Sequence, residues 1–238
     1  MPATAIIGST GLVGSHILST ILASESFTPV STITRRAPKT TSPALNAVVS
    51  TDTTQWAGLL SGLSPAPAAV FSALGTTRAA AGSLAAQWAI DHDLNVELAR
   101  AAKAAGAQTF VFVSSGGTRG LLSSGVPYSR MKNGVEDAVR ELGFAHAIVL
   151  KPGVILGERE QRRTAESWFQ SLTHGLGRVS TAAKDFLGQD AEVIARAAVR
   201  AAELAAQGKA PSEYWVVEAS EILRLGRTEW KEAEKPAA

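Results

Sequence analysis

The first stretch of the chain combines a strand-like run, a glycine-rich turn and a helix-like run, and this order limits the fold more than any other feature. Residues 4–7 are apolar and partly β-branched, and apolar residues recur at helical spacing up to residue 22. Between them, Gly8 suits a tight turn, Gly11 lets the backbone approach a pyrophosphate, and Gly14 lets the helix lie close to the strand. The sequence therefore predicts a phosphate-binding βα unit.

The whole turn is predicted to contact a dinucleotide. The residues assigned to this contact are Gly8, Ser9, Thr10, Gly11, Leu12, Val13 and Gly14. A strand, turn and helix without any ligand is the alternative interpretation. A P-loop is a weaker one, because no Gly-Lys-Ser/Thr follows the glycines.

Length, charge and cysteine content narrow the class of protein. A chain of 238 residues suits one α/β domain, and a formal charge of +2 without a basic stripe argues against a nucleic-acid partner. The chain has no cysteine and its four histidines are scattered, so no metal site is predicted. Residues 4–22 are uncharged but too rich in Gly, Ser and Thr for a membrane span, and no basic segment precedes them. We expect a retained N-terminus and no presequence.

Strand-like and helix-like segments alternate along most of the chain. Further strands are predicted at 30–34, 46–49, 68–72, 109–113, 145–150 and 214–217, and long helices at 83–105 and 190–207, the latter with Asp190 as its N-cap. This alternation predicts an α/β fold, a doubly wound parallel sheet of the Rossmann type. We expect one domain over 1–230, substrate-region elements mainly in 153–190 and 210–230, and a disordered tail at 231–238.

Residues after the second, third and fourth strands bear on the choice of cofactor. Arg35 and Arg36 follow the second strand, where an acidic residue would suit NAD and arginine suits the 2′-phosphate of NADP. Two solvated arginines on a loop are the alternative. Asp52 follows the third strand, at the expected adenine pocket, and Leu74 and Gly75 follow the fourth; all three are predicted to bind the cofactor. The predicted cofactor is NADP(H).

A second set of residues follows the fifth strand. Ser114 and Ser115 end that strand, and Tyr128 and Lys132 lie four residues apart in a helix that follows Pro127, so both project from one face. A free phenol titrates near 10, and a neighbouring ammonium lowers its pKa toward the range useful for proton transfer. The predicted catalytic residues are Ser115, Tyr128 and Lys132; a surface Tyr and Lys are the alternative.

These motifs resemble the short-chain dehydrogenases/reductases. The G-x-x-G-x-x-G spacing is similar to the atypical branch, and the segments 73–78, 114–117 and 151–156 are similar to the Tat-interacting oxidoreductase-like proteins and the fungal "found in mitochondrial proteome" proteins. The resemblance implies a Rossmann fold, NADP(H) binding and peripheral association with the cytosolic face of the mitochondrial outer membrane. It also implies that Pro152 and Gly153 lie against the nicotinamide. Ser114 remains an alternative to Ser115, because members of the family differ in this loop.

The functional hypothesis is an NADP(H)-dependent oxidoreductase acting on a small carbonyl or alcohol. An NADP(H)-binding regulator or scaffold without turnover is the alternative, and a sugar-nucleotide epimerase is disfavoured because few residues follow Pro152. The run 158–163 is predicted to be a solvated loop, with contact to substrate or to a membrane surface as the alternative. Trp168, Phe169 and Leu172 fit a short helix that either lines a substrate pocket or joins the core.

Overall fold

A computed structural model describes residues 1–120, 123, 125–157 and 188–230. Its strands are β1 (Thr4–Ile7), β2 (Val30–Thr34), β3 (Leu45–Val49), β4 (Ala69–Ser72), β5 (Thr109–Val113), β6 (His146–Lys151), β7 (Val154–Leu156), β8 (Gly188–Asp190) and β9 (Tyr214–Glu218). Its α-helices are α1 (Leu12–Ser24), α2 (Trp56–Ser61), α3 (Arg78–Ala81), α4 (Leu84–Trp88), α5 (Asn95–Ala104), α6 (Pro127–Glu141), α7 (Ala191–Ala206) and α8 (Ala219–Leu223).

Within these residues, seven strands form one parallel sheet in the order β3-β2-β1-β4-β5-β6-β9. The strand order reverses beside β1, which pairs with β2 on one side and β4 on the other. In open α/β sheets, ligands bind in the crevice outside the carboxyl ends of the strands at such a reversal. The predicted doubly wound Rossmann fold is confirmed, and the glycine-rich turn lies at this crevice.

The central strands are buried on both faces, which explains their near-continuous apolar sequences. On one face, Ile6, Phe71 and Val111 pack in a cluster with α1 and α7. On the other face, Ala5 and Phe110 pack in a second cluster with α2, α5 and α6. Neighbouring residues of each strand therefore enter different halves of the core.

The predicted helix 83–105 differs from the structure in one respect. Helices α4 and α5 are joined by a π-helical segment, Ala89–Leu94, so that the helical course is continuous but locally widened. Gly106 ends it with a φ of +89°. The other long helix is α7, as predicted. Asp190 occupies its N-cap position, and its carboxylate lies 3.5 Å from the Arg227 guanidinium.

The two remaining strands, β7 and β8, form a separate two-stranded sheet. They pair in parallel, so that Ile155 faces Gln189. The predictions for 158–163, for Trp168, Phe169 and Leu172, and for the tail 231–238 lie outside the described residues. None of the helices within the described ranges has the length and hydropathy needed to cross a bilayer.

Candidate functional site

The glycine-rich turn is held tightly between β1, β4 and the start of α1. Gly8 has a φ of +82°, and a Cβ there would lie 2.8 Å from the carbonyl carbon of Ala73. A Cβ on Gly14 would lie 2.1 Å from the Gly8 oxygen, because the first turn of α1 packs directly on the end of β1. The Gly11 amide donates to the Gly8 carbonyl at 2.9 Å. Side chains at positions 8 and 14 would break this packing.

The same turn presents groups suited to a phosphate. α1 begins after Gly11, and the first amides of a helix lack partners within the helix and carry its positive dipole end. The Ser9 hydroxyl is buried and has no hydrogen-bond partner among the described residues. A buried hydroxyl is normally hydrogen-bonded, so Ser9 fits a turn that is completed by a ligand oxygen.

Residues predicted to surround the adenosine lie at the ends of β2 and β3. Arg35 and Arg36 are exposed directly after β2. The Asp52 carboxylate caps a short 3₁₀ turn, accepting from the Thr54 amide at 3.0 Å and the Thr54 hydroxyl at 2.6 Å. The Thr54 side-chain bond, followed by the amide bond, lowers the pKa of Asp52. Asp52 thus remains ionised and also organises its own loop.

Tyr128 and Lys132 occupy different depths of the crevice, although both lie on α6. Tyr128 is in the first turn, with 39% of its surface exposed, whereas Lys132 is buried. The Lys132 ammonium donates to the Val113 carbonyl at 3.2 Å and lies 4.8 Å from the centre of the Phe112 ring. Burial lowers the pKa of Lys132, and the charges of Asp91 and Glu136 oppose this lowering.

The two serines after β5 have different environments. Ser114 is buried and donates its hydroxyl to Glu136 at 2.5 Å. Ser115 is half-buried, and its hydroxyl makes a long contact of 3.5 Å with the Gly116 carbonyl. The Ser114 hydroxyl is therefore committed to α6, and the Ser115 hydroxyl is the better placed of the two to meet a ligand.

Glu136 is the centre of a buried ionic network beneath these serines. Its second carboxylate oxygen accepts from Arg119 Nε at 3.0 Å and from Lys151 Nζ at 3.3 Å. Arg119 also donates to Asp137 at 2.6 Å. The network ties α6 to the loop after β5 and to the end of β6. Sequence analysis missed Glu136, although it lies four residues beyond Lys132 on the same helical face.

The loop after β5 is also bonded to the predicted nicotinamide loop after β6. The Gly116 amide donates to the Pro152 carbonyl at 2.7 Å, and a Cβ on Gly116 would lie 3.1 Å from that oxygen. The Gly153 amide donates to the fully buried Gln189 side chain at 2.7 Å. Gln189 lies outside the sequence-predicted set, and it joins the β7–β8 sheet to this loop.

The loop after β4 is held by polar residues of the π-helical region that sequence analysis also missed. The backbone amide of Thr76 donates to the Asp91 carboxylate at 2.6 Å. The side-chain amide of the buried Asn95 donates to the backbone carbonyl of Asp91 at 3.2 Å. Ser72 at the end of β4 donates to Asn95 at 2.6 Å. Burial raises the pKa of Asp91, whereas the charge of Lys132 lowers it. Leu74 and Gly75 are fixed between these contacts.

Comparison with known proteins identifies the family. Residues 4–217 match the NAD dependent epimerase/dehydratase family. The chain belongs to this family. Solved structures agree on the fold: WbmH of Bordetella bronchiseptica, solved in complex with NAD+, is 18% identical with a TM-score of 0.66 over 92% of this chain and 75% of WbmH. A UDP-galactose 4-epimerase is 14% identical with a TM-score of 0.65 over 91% and 76%.

Fungal proteins are much more similar to this chain. The chain is 54% identical to "Protein FMP52, mitochondrial" of Chaetomium globosum over 98% of this chain and 100% of the relative. It is 58% identical to "Protein fmp-52, mitochondrial" of Neurospora crassa over 96% and 97%. The resemblance to the fungal branch is therefore confirmed.

In this family member, the predicted residues gather at the carboxyl edge of the sheet in two groups. The first group contains Ser115, Lys132 and the Pro152–Gly153 loop. Lys132 bonds to the end of β5, and Gly116, next to Ser115, bonds to Pro152 after β6. Tyr128 lies in the first turn of α6. Arg35, Arg36 and Asp52 lie beyond β1, on the β2–β3 side. The glycine-rich turn lies between the two groups. In folds of this type a dinucleotide binds across the crevice at the point where the strand order reverses.

Proposed function

We propose that the protein is an NADP(H)-dependent oxidoreductase that interconverts a carbonyl and an alcohol. The observation that carries the proposal is the position of Tyr128 and Lys132 on one face of α6, with Lys132 bonded to the Val113 carbonyl two residues before the half-buried Ser115. Family membership and the NAD complexes of similar folds support a nicotinamide dinucleotide as the cofactor. The glycine cradle and the unpartnered Ser9 hydroxyl fit its phosphates.

The roles of the residues follow from their chemistry. A bound nicotinamide supplies hydride chemistry at the substrate carbon. Ser115 donates a hydrogen bond that orients the substrate oxygen, and Tyr128 delivers a proton to that oxygen during reduction. The role proposed for the Lys132 ammonium is to favour the phenolate form of Tyr128 and to bind the ribose hydroxyls. The network around Glu136 holds the serine loop and α6 in register.

Replacing Arg35 and Arg36 together with alanine should remove the preference for NADPH over NADH. Each guanidinium is exposed after β2 and free to reach a 2′-phosphate, and charge-assisted bonds of about 1.5–3 kcal/mol correspond to a loss of NADPH affinity of about 10- to 100-fold. NADH affinity should be nearly unchanged. Titration of the fluorescence of the five tryptophans measures both affinities.

Arg100→Ala, which removes an exposed arginine from α5, is the matched control and should alter neither affinity. Equal affinities for NADPH and NADH in the unmodified protein would contradict the assignment of NADP(H).

We further propose that the protein acts at the cytosolic face of the mitochondrial outer membrane, held there peripherally. The mitochondrial names of its fungal relatives support the organelle. In fractionated cells, the protein should sediment with mitochondria, be released by alkaline carbonate and be digested by protease added to intact mitochondria. An integral outer-membrane protein and a matrix protein serve as controls. Resistance to carbonate or to protease would contradict this placement.

A further inference from the structure

Lys132 and the buried carboxylate of Asp91, on a different element of the fold, both face Gly75. We propose that Asp91 is a positioning residue that supplies the principal counter-charge of Lys132 and thereby keeps the ammonium available to Tyr128 and to the cofactor ribose. The inference rests on the proposed function, because it deepens the role of the same site. Asp91 comes from the π-helical segment and Lys132 from α6.

Both charged groups are removed from water. Lys132 is 5% exposed and Asp91 is 1% exposed. An isolated charge in such an environment is so costly that it either finds a partner or becomes neutral. The contacts of Lys132 with the Val113 carbonyl and the Phe112 ring solvate the ammonium only in part. A nearby negative charge therefore favours the protonated form of Lys132.

Gly75 shows that the two groups face a common space. A Cβ built on Gly75 would lie 3.8 Å from the Asp91 Oδ1 atom and 3.9 Å from the Lys132 Nζ atom. The Asp91 carboxylate is fixed in that direction by the Thr76 amide at 2.6 Å and by the Gln87 side chain at 3.3 Å. The carboxylate and the ammonium thus both face Gly75 in the loop after β4.

Glu136 is the other carboxylate near Lys132, but its charge is already offset. It bonds to the cationic side chains of Arg119 and Lys151. The donors to the Asp91 carboxylate are the neutral Thr76 amide and Gln87 side chain, and within the described residues no cationic side chain forms an ion pair with it. In agreement, the pKa of Lys132 is lowered most by burial, and Asp91 opposes that lowering more than Glu136 does.

The sign of the effect follows from these contacts. Removing the charge of Asp91 leaves burial less opposed, so the pKa of Lys132 falls further and its ammonium is lost at lower pH. His92 lies on the same π-helical segment but is not part of this effect, because its ring bonds to Asp93 and packs against Gly134.

Asp91→Asn tests the inference because asparagine keeps the shape and the acceptor for Thr76 while removing the charge. NADPH affinity is measured from pH 6 to pH 9 by tryptophan fluorescence. The variant should bind like the unmodified protein at acidic pH, and its affinity should begin to fall at a lower pH. Above both pKa values, each unit by which the pKa of Lys132 is lowered corresponds to about tenfold weaker binding. Lys132→Met should remove this limb of the profile and thereby assign it to Lys132.

Asp93→Asn is the matched control, because Asp93 is on the same π-helical segment but its side chain is 62% exposed and bonds to His92. Its affinity profile should coincide with that of the unmodified protein. An Asp91→Asn profile that is unshifted, or an Asp93→Asn profile that is shifted equally, would overturn the inference.

A double-mutant cycle supplies a readout that needs neither cofactor nor substrate. The free energies of unfolding in urea are compared for the unmodified protein, Asp91→Asn, Lys132→Met and the double variant at neutral pH. Asp91→Asn should destabilise the unmodified protein more than it destabilises Lys132→Met. Additive effects of the two substitutions on the free energy of unfolding would overturn the role of Asp91 as a counter-charge, even if the protein is an active enzyme. Non-additive effects in a protein without turnover would support the pair and reject only the proposed function.

Discussion

Replacing Tyr128 with phenylalanine is expected to lower turnover by about 10²- to 10⁴-fold, the usual effect of losing a general acid, while NADPH affinity is preserved. The substitution removes only the hydroxyl of a side chain at the exposed start of α6, so α6 and its buried Lys132 should keep their positions. The measurement is NADPH oxidation with a panel of aldehydes and ketones.

Tyr214→Phe is the matched control, because Tyr128 and Tyr214 are the two tyrosines of the chain. Tyr214 lies on β9 under the Arg140 guanidinium, away from the crevice, and its replacement should leave turnover unchanged. Equal activities of Tyr128→Phe and the unmodified protein would remove Tyr128 from the mechanism. Binding of NADPH without oxidation by any substrate would favour the regulator or scaffold over the enzyme.

Glu136→Gln is expected to destabilise the protein by about 3–5 kcal/mol, as does the loss of one partner from a buried ion pair. Glutamine would turn an amide toward cations that now share a carboxylate, and Lys151 is almost completely buried. The Ser114 hydroxyl would also lose a charged acceptor. Unfolding in urea measures the free energy, and circular dichroism checks that the variant is folded at the start.

Asp137→Asn separates this effect from a general loss of charge on α6. Asp137 is the next residue and bonds to the same Arg119, but its side chain is 54% exposed. An exposed pair contributes about 0–1 kcal/mol, so this variant should be close to the unmodified protein in stability. Similar losses for both variants would mean that burial of the Glu136 network has no special energetic importance.

The central strands and the parallel type of the sheet could be predicted because each central strand carries its own pattern. A run such as 109–113 is apolar on both faces, which is characteristic of a strand covered by helices on both sides of a sheet. The spacing of Tyr128 and Lys132 likewise placed both on one face of α6, since helical geometry is local. These inferences needed no knowledge of distant contacts.

The choice between Ser114 and Ser115 could not be made in this way. Because β5 is buried on both sides, alternation says that the two serines face opposite directions but gives no indication of which one meets α6. The structure shows that Ser114 bonds to Glu136. Such a contact joins residues 22 positions apart and depends on how α6 packs against the sheet.

Asp91 shows a further limit of sequence analysis. Gln87, Asp91 and Asn95 are spaced four apart in an alanine-rich helical stretch. This spacing places the three polar side chains on one face of the helix, which was an available indication that the face has polar contacts. Its meaning depends on which neighbours it meets. The contact of Asp91 with the Thr76 amide arises only when β4 and the helical region are packed together.

The pairing of β7 with β8 has a consequence for how proteins of this family can diverge. The chain leaves the cofactor-binding half after β7 and returns at β8, and both points are anchored by the ladder and by the bond from Gly153 to Gln189. The entropic cost of closing a chain segment between fixed ends rises by only about 0.6 kcal/mol for each doubling of its length. Members of the family can therefore differ in the number of residues between positions 157 and 188 while the pairing of β7 with β8 and the register of the seven-strand sheet are kept.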